Sequence, residues 1–177
     1  MIEGHKDIIE RHLRNLIGLR LALTRNIVAA KNFQFGSIRA VKNGTVGEYA
    51  LHIACSWRFV NAAGEIVTGA GDRYRPPSSC DEVEEENWRT GDLQAERLLN
   101  LLGGADEATR AHVNVTQEFV VQDVSADALG GFEIKFSGGL TLQVFPDSSG
   151  DESWRFFQPG SKKEHLVVGA AALLETP

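Results

Sequence analysis

Ser56-Trp57-Arg58-Phe59 recurs, residue for residue, as Ser153-Trp154-Arg155-Phe156. Two of the 3 tryptophans of the chain sit in these copies. Each copy follows alternating apolar residues and precedes a turn, then a short apolar run ending in Gly-Ala. The first continues through Asn61-Ala62-Ala63-Gly64 to Ile66-Val67-Thr68-Gly69-Ala70, the second through Gln158-Pro159-Gly160-Ser161 to Leu166-Val167-Val168-Gly169-Ala170. On a strand, side chains two apart share a face. Trp57 and Phe59 therefore point one way and Arg58 the other, and Trp154, Phe156 and Arg155 repeat that division. The aromatic pairs are expected in the core. If residues 61 to 64 and 158 to 163 are hairpin loops, Arg58 lies diagonal to Glu65 and Arg155 diagonal to Glu164.

Outward from the repeat, the periodicity predicts a β-rich chain. Tyr49, Leu51 and Ile53 alternate with small or polar residues before the first copy. Phe132, Ile134 and Phe136, then Leu140, Leu142 and Val144, do so before the second. Leu19, Leu21 and Leu23 start an earlier strand, and Val113, Val115, Phe119 and Val121 share one parity. Helical spacing appears twice. One helix is expected over residues 2 to 17, stopped by Gly18. Another is expected after a candidate N-cap, Asp92, with Leu98, Leu99, Leu101 and Leu102 as its apolar side and Gly103-Gly104 as its stop. The expected fold is α+β, mainly β: two similar antiparallel β units forming a sandwich or partly closed barrel, with an N-terminal helix and a connector helix. Residues 1–177 read as a single domain of two pseudo-repeated halves, about 1–70 and 111–177, joined by a connector at 71–110.

Composition narrows the function classes. With 177 residues, 42% hydrophobic and 24% charged, the chain can bury a core without staples. No apolar run approaches the roughly 20 residues that span a bilayer. Glu3, Asp7 and Glu10 stand where a signal peptide needs a basic and then apolar segment. A cytoplasmic location and no membrane partner are expected. Cys55 and Cys80 make no disulfide framework. Charge is unevenly spread: residues 1 to 42 hold eight basic and three acidic residues, the remainder ten basic and 21 acidic, for a total of −6. The basic residues are dispersed, and Lys31-Asn32-Phe33-Gln34-Phe35 is the one basic-aromatic stretch, so no nucleic-acid partner is expected.

No catalytic residue, metal site or cofactor emerges. The histidines His5, His12, His52, His112 and His165 form no zinc spacing. His52 and Cys55, three apart on strands, face opposite ways. The glycine pairs at 103-104, 130-131 and 138-139 read as turns, since no Lys-Ser/Thr follows them into a helix. Two binding surfaces are expected instead. The run Asp81, Glu82, Glu84, Glu85 and Glu86 concentrates like charge that a basic protein partner would neutralise. Alternatively, Trp57, Arg58, Trp154 and Arg155 line a pocket for a small molecule.

Phe145-Pro146-Asp147, Glu152-Ser153-Trp154-Arg155-Phe156-Phe157 and Pro159-Gly160 carry a family likeness. Over residues 130–169 the chain resembles small bacterial β-rich proteins of unknown function, some of which look like immunity proteins guarding against polymorphic toxins. The resemblance implies a cytosolic, non-enzymatic protein that binds a protein partner, and it assigns no residues.

Overall fold

A computed structural model describes residues 4–75, 93–104, 112–162, 165–169 and 173–176. The acidic run at 81–86, together with Cys80, Asp92 and Glu164, lies outside the described residues. Helix α1 (His5–Leu13) continues as a 3-10 turn at Arg14–Leu16. Its apolar residues Ile9, Leu13 and Leu16 are buried, while Lys6, Arg11 and Arg14 stay in solvent. Gly18 ends it at φ +84, a backbone angle that side-chain-bearing residues resist.

Strands β1 (Leu21–Ile27), β2 (Ala30–Phe35), β3 (Arg39–Val41), β4 (Gly44–Val46), β5 (Tyr49–Ile53), β6 (Ser56–Val60) and β7 (Ile66–Gly69) follow. A 3-10 turn at Ala70–Tyr74 comes next. Helix α2 (Leu93–Leu102) then precedes β8 (Val113–Asn114), β9 (Val121–Ala126), β10 (Phe132–Phe136), β11 (Thr141–Phe145), β12 (Glu152–Phe157), β13 (His165–Gly169) and β14 (Leu173–Thr176). None of the helices among the described residues is long and apolar enough to cross a membrane.

The strands form a seven-stranded antiparallel sheet in the order β14-β13-β12-β5-β2-β1-β8 and a five-stranded one in the order β7-β6-β11-β10-β9, with β3 and β4 as a separate ribbon. The two larger sheets pack face to face through one apolar cluster. Rings meet across it: Phe33 with Trp57 at 5.2 Å, Phe33 with Phe59 at 5.7 Å, Phe35 with Phe136 at 6.4 Å and Phe132 with Trp154 at 4.8 Å. Such pairs add about 0.5–1.5 kcal/mol each beyond the area they bury. Because Phe33 and Phe35 are spent on this core, the Lys31–Phe35 stretch offers no stacking face to a base.

The halves do not each build a sheet. β1, β2 and β5 enter the larger sheet and β6 and β7 the smaller, whereas β9, β10 and β11 enter the smaller and β12 and β13 the larger. Exchanging β1, β2, β5, β6 and β7 for β9, β10, β11, β12 and β13 therefore turns the β13-β12-β5-β2-β1 part of the larger sheet into the smaller sheet's order, with β14 and β8 as additions at its edges. The exchange holds at the level of residues. Leu21 pairs Phe35 as Val121 pairs Phe136, and a bulge follows at the same place in both ladders. The row Lys31–Ile53–Trp154 across β2, β5 and β12 corresponds to Phe132–Val144–Trp57 across β10, β11 and β6. Arg20 and Val120, which precede equivalent strands, pair with each other and tie the two sheets along one side.

Candidate functional site

The repeated tetrapeptides carry out the division their alternation predicts. Trp57 is 4% exposed and Trp154 fully buried, while the arginines leave the core on the outer faces of different sheets. Arg58, Trp154 and Arg155 therefore do not join Trp57 around one pocket. The ion pairs expected from hairpin register also differ. A bulge at Val67 shifts the β6–β7 ladder, so Val60 faces Ile66 and Arg58 faces Gly69. Glu65 accepts from Asn61 instead, and Arg58 Nε donates to Gln143 Oε1 at 2.6 Å with its guanidinium 4.8 Å above the Phe145 ring. Arg155 grips Glu152 with two donors, each at 2.5 Å. That grip holds the Glu152 carboxyl below its usual range.

What the tetrapeptides do mark is a difference between two equivalent places. Trp154 donates its indole N–H to the carbonyl of Gly130 at 2.8 Å. Gly130 belongs to the residue 127–131 turn between β9 and β10, held by Asp127, whose carboxylate accepts from the backbone of Leu129 and Gly131. A side chain on Gly130 would strike Val168 at 2.7 Å, and its φ is +90. Glycine is thus what lets this turn descend onto the tryptophan.

The equivalent turn in the first half is shorter. Only Val28 and Ala29 separate β1 from β2, because Ile27 pairs directly with Ala30. This turn does not reach over Trp57. The space is instead a cleft of about 350 Å³, bounded by Ala29, Ile53, Cys55, Trp57, Ala70 and Gly71, with Lys31, Asn26, Arg73, Gln94 and Asp147 as its polar wall. Lys31 holds the row position that Phe132 fills beside Trp154. Its ammonium, 4% exposed as a residue, donates to Asn26 Oδ1 at 3.1 Å. The Trp57 indole N–H has no acceptor among the described residues.

The cleft walls are fixed. Gln94 from α2 donates to the carbonyl of Gly69 at 2.9 Å, and Asp72 ties the 3-10 turn together by accepting from Gly69 N and from Arg97, both at 3.1 Å. Arg73 donates to the carbonyls of Val28 and Ala29 at 2.8 and 3.0 Å, clamping the rim. That rim is strained: Val28 sits at φ +52, where a β-branched residue is an outlier, and is 90% exposed. Tyr74, 65% exposed, lies beside Arg73. Burial first, and the Asp147 carboxylate second, push the Cys55 thiol up to about 12. It stays protonated at neutral pH and serves as wall rather than nucleophile.

A larger and shallower depression of about 670 Å³ lies between Gly18–Ala22 and Gly36–Ile38. Its charged groups are engaged: Arg20 donates to Val115 O at 2.7 Å, and Glu48 accepts from Ser37 N at 2.8 Å. Among the described residues no three His, Cys, Asp or Glu side chains converge to hold a metal. Sequence reasoning found Trp57 from the repeat, met Lys31 only within the Lys31–Phe35 stretch and Arg73 only within the connector loop, and gave no signal for Gln94. Compared with known proteins, the chain matches no family model, no curated protein and no solved structure.

Proposed function

We propose that the protein is a non-enzymatic binding protein that takes a small molecule in the cleft beside Trp57. The observation that carries the reading is the cleft itself: an open volume with a buried tryptophan, a buried lysine and a buried glutamine in its walls, where the equivalent place in the second half is filled. Ligand sites combine apolar walls with a few fixed polar groups in this way. The protonated Cys55 thiol argues against nucleophilic chemistry there.

A fragment screen by ligand-detected NMR tests the reading against the variant Gly71→Trp. Gly71 borders the cleft, has no left-handed φ, and a Cβ on it meets nothing within 4 Å. The larger side chain therefore fills the space without backbone strain. Fragments that bind wild type should lose binding to a variant that melts normally. A screen without hits, or hits that bind both proteins equally, overturns the reading.

A further inference from the structure

We infer that the outer face of the seven-stranded sheet carries a second binding site, in which Arg25 takes the carboxylate of a small acid beside Asn32 and His52, at the place that the Glu133 carboxylate fills in the smaller sheet. Strand alternation turns Arg25 and Asn32 outward where Asn26 and Lys31 turn inward to the cleft, so the two sites lie on opposite sides of one sheet. The inference therefore stands apart from the reading of the cleft.

Three observations carry it. First, a buried donor has nothing to bond. Arg25 is half-buried, its Nε is shut off from water, and that nitrogen has no hydrogen-bond partner. Nor does the guanidinium form an ion pair with any described residue. A charged donor withdrawn from water without an acceptor is costly, and an anion that supplies the acceptor removes the cost. Second, the acceptors nearest to it are engaged. The register sets Arg25 beside Asn32, Asn32 beside His52 and His52 beside Arg155. Asn32 Oδ1 accepts from Gln34 Nε2 at 2.6 Å, Gln34 Oε1 accepts from the backbone N–H of Gly47 at 2.6 Å, and both Glu152 oxygens accept from Arg155. Burial first, then Arg155 and Arg25, keep a proton off His52. The row thus sets two arginines against the single carboxylate of Glu152. Third, the strand exchange gives this row a counterpart in which the carboxylate is part of the chain. Arg25–Asn32–His52–Arg155 corresponds to Ser125–Glu133–Gln143–Arg58 across β9, β10, β11 and β6. There Arg58 Nε donates to Gln143, and Gln143 Nε2 donates to Glu133 at 2.5 Å, so one arginine is matched by one carboxylate. In the larger sheet Asn32 stands where Glu133 does, and Arg25 replaces the neutral Ser125. The row has gained a cation and lost an anion, and a ligand carboxylate restores the balance. The guanidinium edge, with Nε and a neighbouring Nη, matches the two oxygens of such a group.

Arginine Nε–H resonances of protein labelled with nitrogen-15 provide the test, assigned with Arg25→Gln and Arg58→Gln. Acetate and benzoate, titrated at an ionic strength held constant with sodium chloride, should move the Arg25 Nε–H and the His52 ring resonances saturably. The Arg58 Nε–H, whose acceptor is already in place, should stay where it is. Arg25→Gln should weaken ligand-detected binding of benzoate about tenfold or more, as expected for hydrogen bonds to a charged group. Asn32→Asp supplies the carboxylate of the equivalent row and keeps the acceptor for Gln34, so it should fold and no longer respond to benzoate at Arg25. Should that buried substitution fail to fold, Arg25→Gln decides alone. Gly71→Trp, which fills the cleft, should leave the Arg25 response at its wild-type affinity. An Arg25 resonance that no carboxylate moves overturns the inference, and so does benzoate affinity unchanged in Arg25→Gln. Equal movement of Arg25 and Arg58 overturns it as well, because it marks a general effect of anions. So does a response to inorganic phosphate without one to the carboxylates, since the class of ligand is then wrong. A response abolished by Gly71→Trp overturns it too, by placing the carboxylate in the cleft, and leaves the small-molecule reading of the cleft standing.

Discussion

At the scale of single residues, identical tetrapeptides do different work because their neighbours differ. Both tryptophans anchor the core, yet only Trp154 closes a hydrogen bond, and its acceptor, Gly130, is itself buried. Replacing Trp154 by Phe leaves that carbonyl without a donor, so the variant should lose about 1–3 kcal/mol more in a denaturant melt than Trp57→Phe does. Equal losses would mean that the Gly130 bond contributes nothing net. The alternation around each copy made the burial of Trp57 and Trp154 and the outward direction of Arg58 and Arg155 legible in the chain. The partners of those arginines were not legible. A one-residue bulge at Val67 changes which side chains face each other, and bulges leave no mark in an apolar pattern.

At the scale of elements, the outer face of the seven-stranded sheet shows how a cross-strand row sets a titration. His52 lies between Arg155 and Asn32 in neighbouring strands, with the Phe157 ring edge-on 4.7 Å away and itself stacked on His165. Burial first, then the charges of Arg155 and Arg25, lower the affinity of His52 for a proton. Glu152 opposes them and His165 adds to them. In the unfolded chain the residue returns to its ordinary value of 6.5. As pH falls below that value the unfolded state therefore takes up a proton before the folded state does, and stability drops. Glu152 acts in the same direction at lower pH: its grip on Arg155 stabilises the fold above the ordinary carboxyl value of 4.5 and is lost as the pH falls below it. Chemical melts between pH 7.5 and 5.5 should show falling stability in wild type and a flatter profile in His52→Gln. An unchanged profile would place the titration elsewhere. Of this row the sequence showed only that His52 and Arg155 lie on strands. Their adjacency depends on β12 pairing with β5, about a hundred residues away in the chain, and the cleft depends likewise on a turn and a tryptophan from different sheets.

At the scale of the whole molecule, the interleaving of the halves predicts how the chain assembles. The first half gives three strands to the larger sheet and two to the smaller, and the second gives four and three, so both sheets, and the core between them, are shared by the two halves. Fragments 1–75 and 93–177 should each lack a cooperative thermal transition, and refolding them together should restore one. A cooperative melt of either fragment alone would contradict the shared core. The acidic run Asp81–Glu86 lies between these fragments. The proposal that it engages a basic protein partner, in the manner of an immunity protein, has its own test. The variant Glu84→Lys, Glu85→Lys, Glu86→Lys should keep the wild-type melting temperature. It should also lose whatever basic proteins the wild type captures at low salt, in complexes that weaken as salt is added. Capture of the same partners by both would leave the run a solvated linker.

Val28 sets local economy against use. A valine at φ +52 costs about 1–2 kcal/mol relative to a conformation it prefers, and at 90% exposure it recovers almost nothing by burial. Glycine would fit the same turn without that strain. Val28→Gly should therefore raise the melting temperature, and a fall would show that the side chain is held by contacts the turn conceals. If the more stable variant also loses fragments that the cleft of wild type binds, the position is a stability–function trade-off: a residue that folding alone would reject, kept at the rim of the cleft.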